Sequence, residues 1–254
     1  MNGGLRKAAG ALALLIAAAA CSSVLVRPET GECLRADPVA WAARAEASVR
    51  VRSYRPAVLY DVDRQGRAVR FAAGRLDPDA AAVVSFPEVA RFPGRYAGFE
   101  RLERRSFVYD DALVALWRTS REDRDGARRI LSTLAALQRP DGAWGFSFDI
   151  GGDGYYNAGY VRAGTVAWAV YAFAAYAGRF RDARFAPVLE RGVAWLVSQR
   201  DARTGLVRAG RGRWESPTVF DPEWTADFAA TEHQFDAWFA LEAVRQAAPE
   251  IGAR

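Results

Sequence analysis

Thr231-Glu232-His233-Gln234-Phe235-Asp236-Ala237-Trp238 lies near the C-terminus and holds the only histidine of the 254-residue chain, with two carboxylates and an aromatic pair around it. Thr231 and Gln234 read as a T-x-x-Q capping box, and Glu232 suits the positive end of a helix, so the stretch predicts a helix start. Capping does not call for His233, nor for Asp236 in the second turn among large apolar neighbours. A second stretch answers the first 125 positions earlier: Ser106-Phe107-Val108-Tyr109-Asp110-Asp111-Ala112-Leu113. In both, a hydroxyl residue placed to cap a helix is followed five positions later by Asp-Ala and a large apolar residue. Two equivalent helix mouths facing one cavity are the expectation from which the rest of the fold is read.

Working outward, the N-terminus is set apart first. Arg6 and Lys7 precede an apolar run from Ala8 to Ala20 that ends in small residues before Cys21, the pattern of a signal peptide. A cysteine directly after Ala18-Ala19-Ala20 resembles a bacterial lipoprotein signal. That resemblance implies removal of residues 1–20, acylation of Cys21 with palmitate-type chains and a membrane attachment through that anchor. Ser22 in the next position favours the outer membrane, with the protein facing the periplasm. Residues 21–37, without periodicity, read as a tether, and 38–254 as a single domain.

The formal charge of +5 falls to +3 without Arg6 and Lys7. The arginines alternate with Asp and Glu and form no basic block, which excludes nucleic acid as the expected partner. With Cys21 lipidated, Cys33 stands alone, so no intramolecular disulfide is expected. One His and one free Cys make no zinc site of the usual kind, and neither a metal nor a cofactor is implied. Oligomeric state is left open.

Asp37-Pro38 opens a helical pattern to about Val51, and residues 57–71 predict a short β-hairpin turning at Arg64-Gln65-Gly66. Residues 74–105 read as mostly irregular. Helices are predicted over 107–119, from a cap at Ser120 to Gln138, over 165–176, over 182–199 and over 232–247. The third of these is apolar nearly all round, yet too short to span a bilayer, and so reads as buried inside the fold. Gln138-Arg139 recurs 61 positions later as Gln199-Arg200, each pair ending an outer helix. The loops that follow, 139–163 and 200–230, are long and rich in Gly, Trp and Tyr, a mark of functional loops. The resulting fold class is mainly α: α/α helical hairpins in an incomplete or small (α/α) toroid, with a short N-terminal β-hairpin.

Paired acids beside aromatic platforms fit saccharide chemistry. Cleaving a glycosidic bond needs one protonated acid for the leaving oxygen and one ionised carboxylate to activate water or attack the sugar. Trp144, Tyr156 and Trp224 in the long loops are candidate platforms. Adjacent acids on a helix point about 100° apart, so of Asp110 and Asp111 one faces the cavity more directly.

Tyr109 to Leu113, Gln138 to Trp144, the stretch from Arg162 to Trp168 and Thr231 to Asp236 together resemble bacterial secreted glycosidases of the six-hairpin (α/α) toroid type. The resemblance covers residues 106–247. It implies Asp110, Glu232 and Asp236 as catalytic acids, with Tyr109, Trp168 and His233 lining the site; Asp111, next to Asp110, is a further substrate-binding candidate from the residues themselves. Since only two and a half hairpins and an N-terminal helix are legible, the chain is expected to form an incomplete ring, to be a shortened relative that lost activity, or to assemble from two copies. Gln138-x-x-x-Gly142-x-Trp144 also matches the QW motif of terpene cyclases and is read as a structural loop, because the acid cluster of those enzymes is incomplete here. The expected function is an envelope-anchored, glycoside hydrolase-like enzyme acting on a polysaccharide or oligosaccharide. A noncatalytic polysaccharide-binding or assembly lipoprotein is the alternative.

Overall fold

A computed structural model of the protein describes residues 49–56, 58–86, 102, 104–150, 154–216 and 218–251. The chain divides into Met1–Arg50, of which only the last two residues are described, and Val51–Arg254, which carries every element below. The signal peptide, Cys21, the tether, Cys33 and nearly all of the helix expected over 37–51 lie outside the described residues; Val51 itself opens a strand.

The central element is α3, Ala163–Phe180, with α1 (Val108–Ser120) and α5 (Thr231–Ile251) packed on its flanks. Alanine and glycine dominate α3, so neighbours approach closely, and all but a few of its side chains are buried. Its left-handed C-cap, Arg181 at φ 50°, ends it. α2, Arg124–Leu137, folds back on α1, and α4, Ala186–Ser198, folds back on α3 after a 3-10 turn, Ala183–Phe185. α2 shows the 3.6-residue period most plainly: Ile130, Leu131, Leu134 and Leu137 are all fully buried. Each such side chain contributes about 1.5–3 kcal/mol by leaving water.

The three inner helices run parallel. A Cβ at Gly164, near the start of α3, would meet His233 and Asp236 near the start of α5, whereas one at Gly178 would meet Ala247 towards its end. Likewise Tyr109 and Trp168 touch at one end of α1 and α3, while Arg179 pairs with Glu122 at the other. Three helix N-termini therefore share one end of the bundle.

That end is dressed with strands. β1 (Val51–Ser53) pairs antiparallel with β4 (Ala81–Val83), and β2 (Tyr60–Val62) with β3 (Ala68–Arg70) in a hairpin whose turn uses Gly66 at φ 73°. β5, Arg105–Phe107, runs straight into α1 and pairs with β6, Ser147–Asp149. β7, Val161–Arg162, runs straight into α3 and joins β8 (Gly210–Ser216) and β9 (Val219–Thr225) in a three-stranded sheet.

Five α-helices and nine strands in four antiparallel sheets among the described residues correct the expected fold class. The protein is a mixed α/β fold and not a mainly α toroid. The physical reason lies in the segments read as irregular. Parts of 74–105, 139–163 and 200–230 pair as strands, β4 with β1, β5 with β6, β7 with β8 and β8 with β9, most of two or three residues, too short for a period of two to appear in the sequence.

The caps differ too. Asp123, not Ser120, caps α2 by accepting the Gly126 N–H at 2.9 Å. Thr231 lies within α5, and Gln234 does not close a capping box. Its amide instead clasps the backbone of Val207, accepting from the N–H at 2.8 Å and donating to the carbonyl at 2.8 Å.

Candidate functional site

The parallel packing of α1, α3 and α5 brings Tyr109, Asp110, Trp168, Glu232, His233 and Asp236 to one place. Tyr109 opens the first turn of α1 and meets the Trp168 ring edge-on at 5.5 Å. Its hydroxyl is pushed up to about 12, by burial first and then by the charges of Asp236, Glu232 and Asp110. One phenol thus feels all three acids implied as catalytic.

Asp236 is the most perturbed of them that still faces this end. It is only 8% exposed, and burial, reinforced by the negative charge of Glu232 one turn earlier, pushes its carboxyl up to about 7. The Trp168 indole N–H points at it and offsets part of the rise, yet neither Trp168 Nε1 nor Asp236 Oδ2 closes a hydrogen bond of ordinary geometry. His233 Nδ1 is buried without a partner as well. Burial pushes the imidazole down; Glu232 opposes that and Arg162 adds to it. Trp168 Nε1 and Asp236 therefore face each other without a well-formed bond, and His233 Nδ1 has no partner among the described residues. A buried polar group left unsatisfied costs about 1–3 kcal/mol, so the imidazole is poised to accept or donate a bond from outside the protein.

Gly164 makes the arrangement possible. A Cβ there would stand 2.6 Å from His233 Cδ2 and 2.7 Å from Asp236 Oδ2, so only glycine lets both side chains lie against α3. Asp110 is enclosed around its carboxyl although the residue keeps some surface. Burial raises it to about 6, and the Ser85 hydroxyl beside it offsets part of that. Glu232 is exposed.

Asp111 is placed otherwise. It is fully buried, accepting the Val83 N–H at 2.8 Å and the Ser106 hydroxyl at 2.7 Å, and so ties β4 and β5 to α1. Burial raises its carboxyl well above the usual range. Trp144 is also fully buried, its indole donating to the Leu134 carbonyl at 2.7 Å and its ring stacked on Phe173. Gln138 bonds the carbonyls of Gly142 and Val188, so the Gln138 to Trp144 loop fastens α2 to α4. Tyr156 donates its hydroxyl to the Leu137 carbonyl at 2.8 Å and accepts the Gly145 N–H at 2.7 Å inside the core. Trp144 and Tyr156 thus pack into the core and are not brought to the acids. Trp224 is half-buried beside the guanidinium of Arg162 and that of Arg213.

Two residues at this end were not singled out as site residues from the sequence, Gly164 and Arg162. The signal for Arg162 was present: a cation directly before a helix start stands against the helix dipole. No group of three His, Cys, Asp or Glu side chains among the described residues is arranged to hold a metal ion, and no helix among them is long and apolar enough to cross a membrane.

Comparison with protein-family models and comparison with curated proteins each found no match.

Proposed function

We propose that the chain is an envelope-anchored carbohydrate-active protein, a glycoside hydrolase-like enzyme that cleaves a bacterial polysaccharide with paired carboxylates. The observation that carries this is Asp236, buried, raised to about 7 by that burial and by Glu232, with the Trp168 indole N–H directed at it. A carboxyl of that kind still holds its proton near neutrality and is suited to act as a general acid. In the reaction, the Asp236 proton passes to the glycosidic oxygen as the bond from that oxygen to the anomeric carbon breaks. Glu232, on the solvent side one turn away, is the companion carboxylate that activates water or attacks the anomeric carbon. Asp110 lies as a third acid beside them, while Tyr109, Trp168 and His233 offer the ring faces and hydrogen-bonding edges that orient a sugar. The motif resemblance to secreted glycosidases points the same way. Acylation of Cys21, in an outer-membrane lipoprotein facing the periplasm, rests on the leader sequence; palmitate labelling lost in Cys21→Ser tests it.

Release of reducing ends from a panel of bacterial polysaccharides tests the enzyme reading. Wild-type protein is expected to release them, with kcat/KM falling as pH rises through about 7, where Asp236 loses its proton. Asp236→Asn is expected to lower the rate about 100-fold or more. Turnover unchanged in that variant removes Asp236 from the mechanism. The alternative, a noncatalytic binding or assembly lipoprotein, is favoured by Phe235 and Trp238, each 60% exposed on α5. It predicts binding without turnover, weakened by Trp238→Ala.

A further inference from the structure

Arg162 ties the end of β7 to β8 through one nitrogen of its guanidinium. Its Nη1 donates to the carbonyls of Val161, Arg211 and Gly212, at 2.7, 3.0 and 3.1 Å, and its guanidinium lies 3.6 Å over the Tyr160 ring with Trp224 at 5.8 Å. Those bonds use one nitrogen. Among the described residues, the hydrogen bonds of the side chain all run from Nη1, and no carboxylate forms an ion pair with the group. Its neighbours on β8 differ: Arg211 pairs with Asp141 and Arg213 with Glu215. An arginine at the N-cap of a helix also stands against the helix dipole, so its position is set by the carbonyls and rings that grip it.

A half-buried guanidinium held through one nitrogen, set over the Tyr160 ring and near Trp224, keeps Nε and Nη2 for the two parallel hydrogen bonds that a carboxylate accepts. It stands two residues before Gly164, close enough to His233 for its charge to act on the imidazole. We propose that Arg162, framed by Tyr160 and Trp224, recognises a substrate carboxylate, so that the saccharide bound beside Asp236 is an acidic one built of uronic acid units. The inference rests on the carbohydrate reading above and narrows it. Tyr160 and Trp224 provide ring faces for the sugar, and the α3 N-terminus adds a favourable partial charge for the anion.

The test uses full-length protein and two probes that differ only at the carboxyl. Oligogalacturonides or oligomannuronates are compared with the same oligomers after reduction of each carboxyl to hydroxymethyl, by titration calorimetry. The acidic oligomer is expected to bind about tenfold or more tightly than its reduced counterpart, with the difference shrinking in high salt. Arg162→Gln is expected to abolish that preference, and Arg162→Lys to keep part of it because charge survives while the planar fork does not. Equal affinity for both oligomers overturns the proposal, as does a preference that survives in Arg162→Gln. If Arg162→Gln fails to fold, the wild-type comparison and Arg162→Lys decide. Turnover by the wild-type chain separates the two readings. A carboxylate preference in a wild-type chain that never turns over any glycan sinks hydrolysis alone, whereas turnover of neutral glycans with no such preference sinks the acidic substrate alone.

Discussion

Asp111 and Asp236 occupy the same place in two Asp-Ala steps, each followed by a large apolar residue, each in the first turns of a helix and each buried. Their surroundings divide them. At the mouth of α1, β4 and β5 fold over the helix and supply a backbone N–H and a hydroxyl, so the Asp111 carboxyl is satisfied and serves as a joint. At the mouth of α5, no strand among the described residues hydrogen-bonds the Asp236 carboxyl, which lies against Gly164 with the Trp168 indole N–H directed at it. Burial raises both carboxyls, but only the Asp111 carboxyl is bonded by the strands that fold over it.

The comparison is broken most forcefully through pH. Asp236 titrates near 7 in the folded chain against an ordinary 3.8, so between those values the folded state holds a proton that the unfolded state has lost. Stability then falls as pH rises from about 4 to 7, and the contribution is gone above that. Asp236→Asn has no such slope. Melting curves at pH 5 and pH 8 are expected to show the variant gaining on wild type by up to about 3 kcal/mol, with Asp111 cancelling because it is present in both. A gap that does not change with pH contradicts the raised pKa.

Next in size is Asp111→Ala, which leaves the Val83 N–H and the Ser106 hydroxyl unpaired and is expected to cost about 2–3 kcal/mol in denaturant unfolding. Asp111→Asn, which still accepts from Val83, is expected to cost less than half as much. If both cost nothing, the joint at α1 is not one. Smallest is Gly164→Ala. It forces His233 and Asp236 off α3 and is expected to cost about 1–2 kcal/mol of stability, with a greater loss of substrate binding or turnover than of fold.

Much of this contrast was hidden in the sequence. The helices were legible because their apolar residues repeat over three or four turns, as Ile130, Leu131, Leu134 and Leu137 do. The candidate acids were legible because Glu232 and Asp236 fall one turn apart on a helix that capping alone does not explain. What separates Asp110 from Asp111 was not legible, since it depends on Val83 and Ser85 arriving from a segment with no period. The hairpin Gly210–Ser216 with Val219–Thr225 did carry an alternating pattern, Arg211, Arg213 and Glu215 on one side of β8, though Pro222 in the second strand obscured it. Trp144 and Tyr156 looked like loop platforms because sequence shows that a loop is long, not that its aromatic rings turn inward to plug the bundle. Gln234 was read as a cap because its clasp on Val207 spans a separation that local spacing never shows.

The shared direction of α1, α3 and α5 sums three helix dipoles at one end of the molecule, and the acids there titrate inside that field. With burial raising Asp110 to about 6 and Asp236 to about 7, two negative charges appear at that end as pH climbs through this span, beside the exposed Glu232 and the guanidinium of Arg162. If the bound saccharide is acidic, as proposed, its attraction to that end weakens over the same span in which Asp236 gives up its proton.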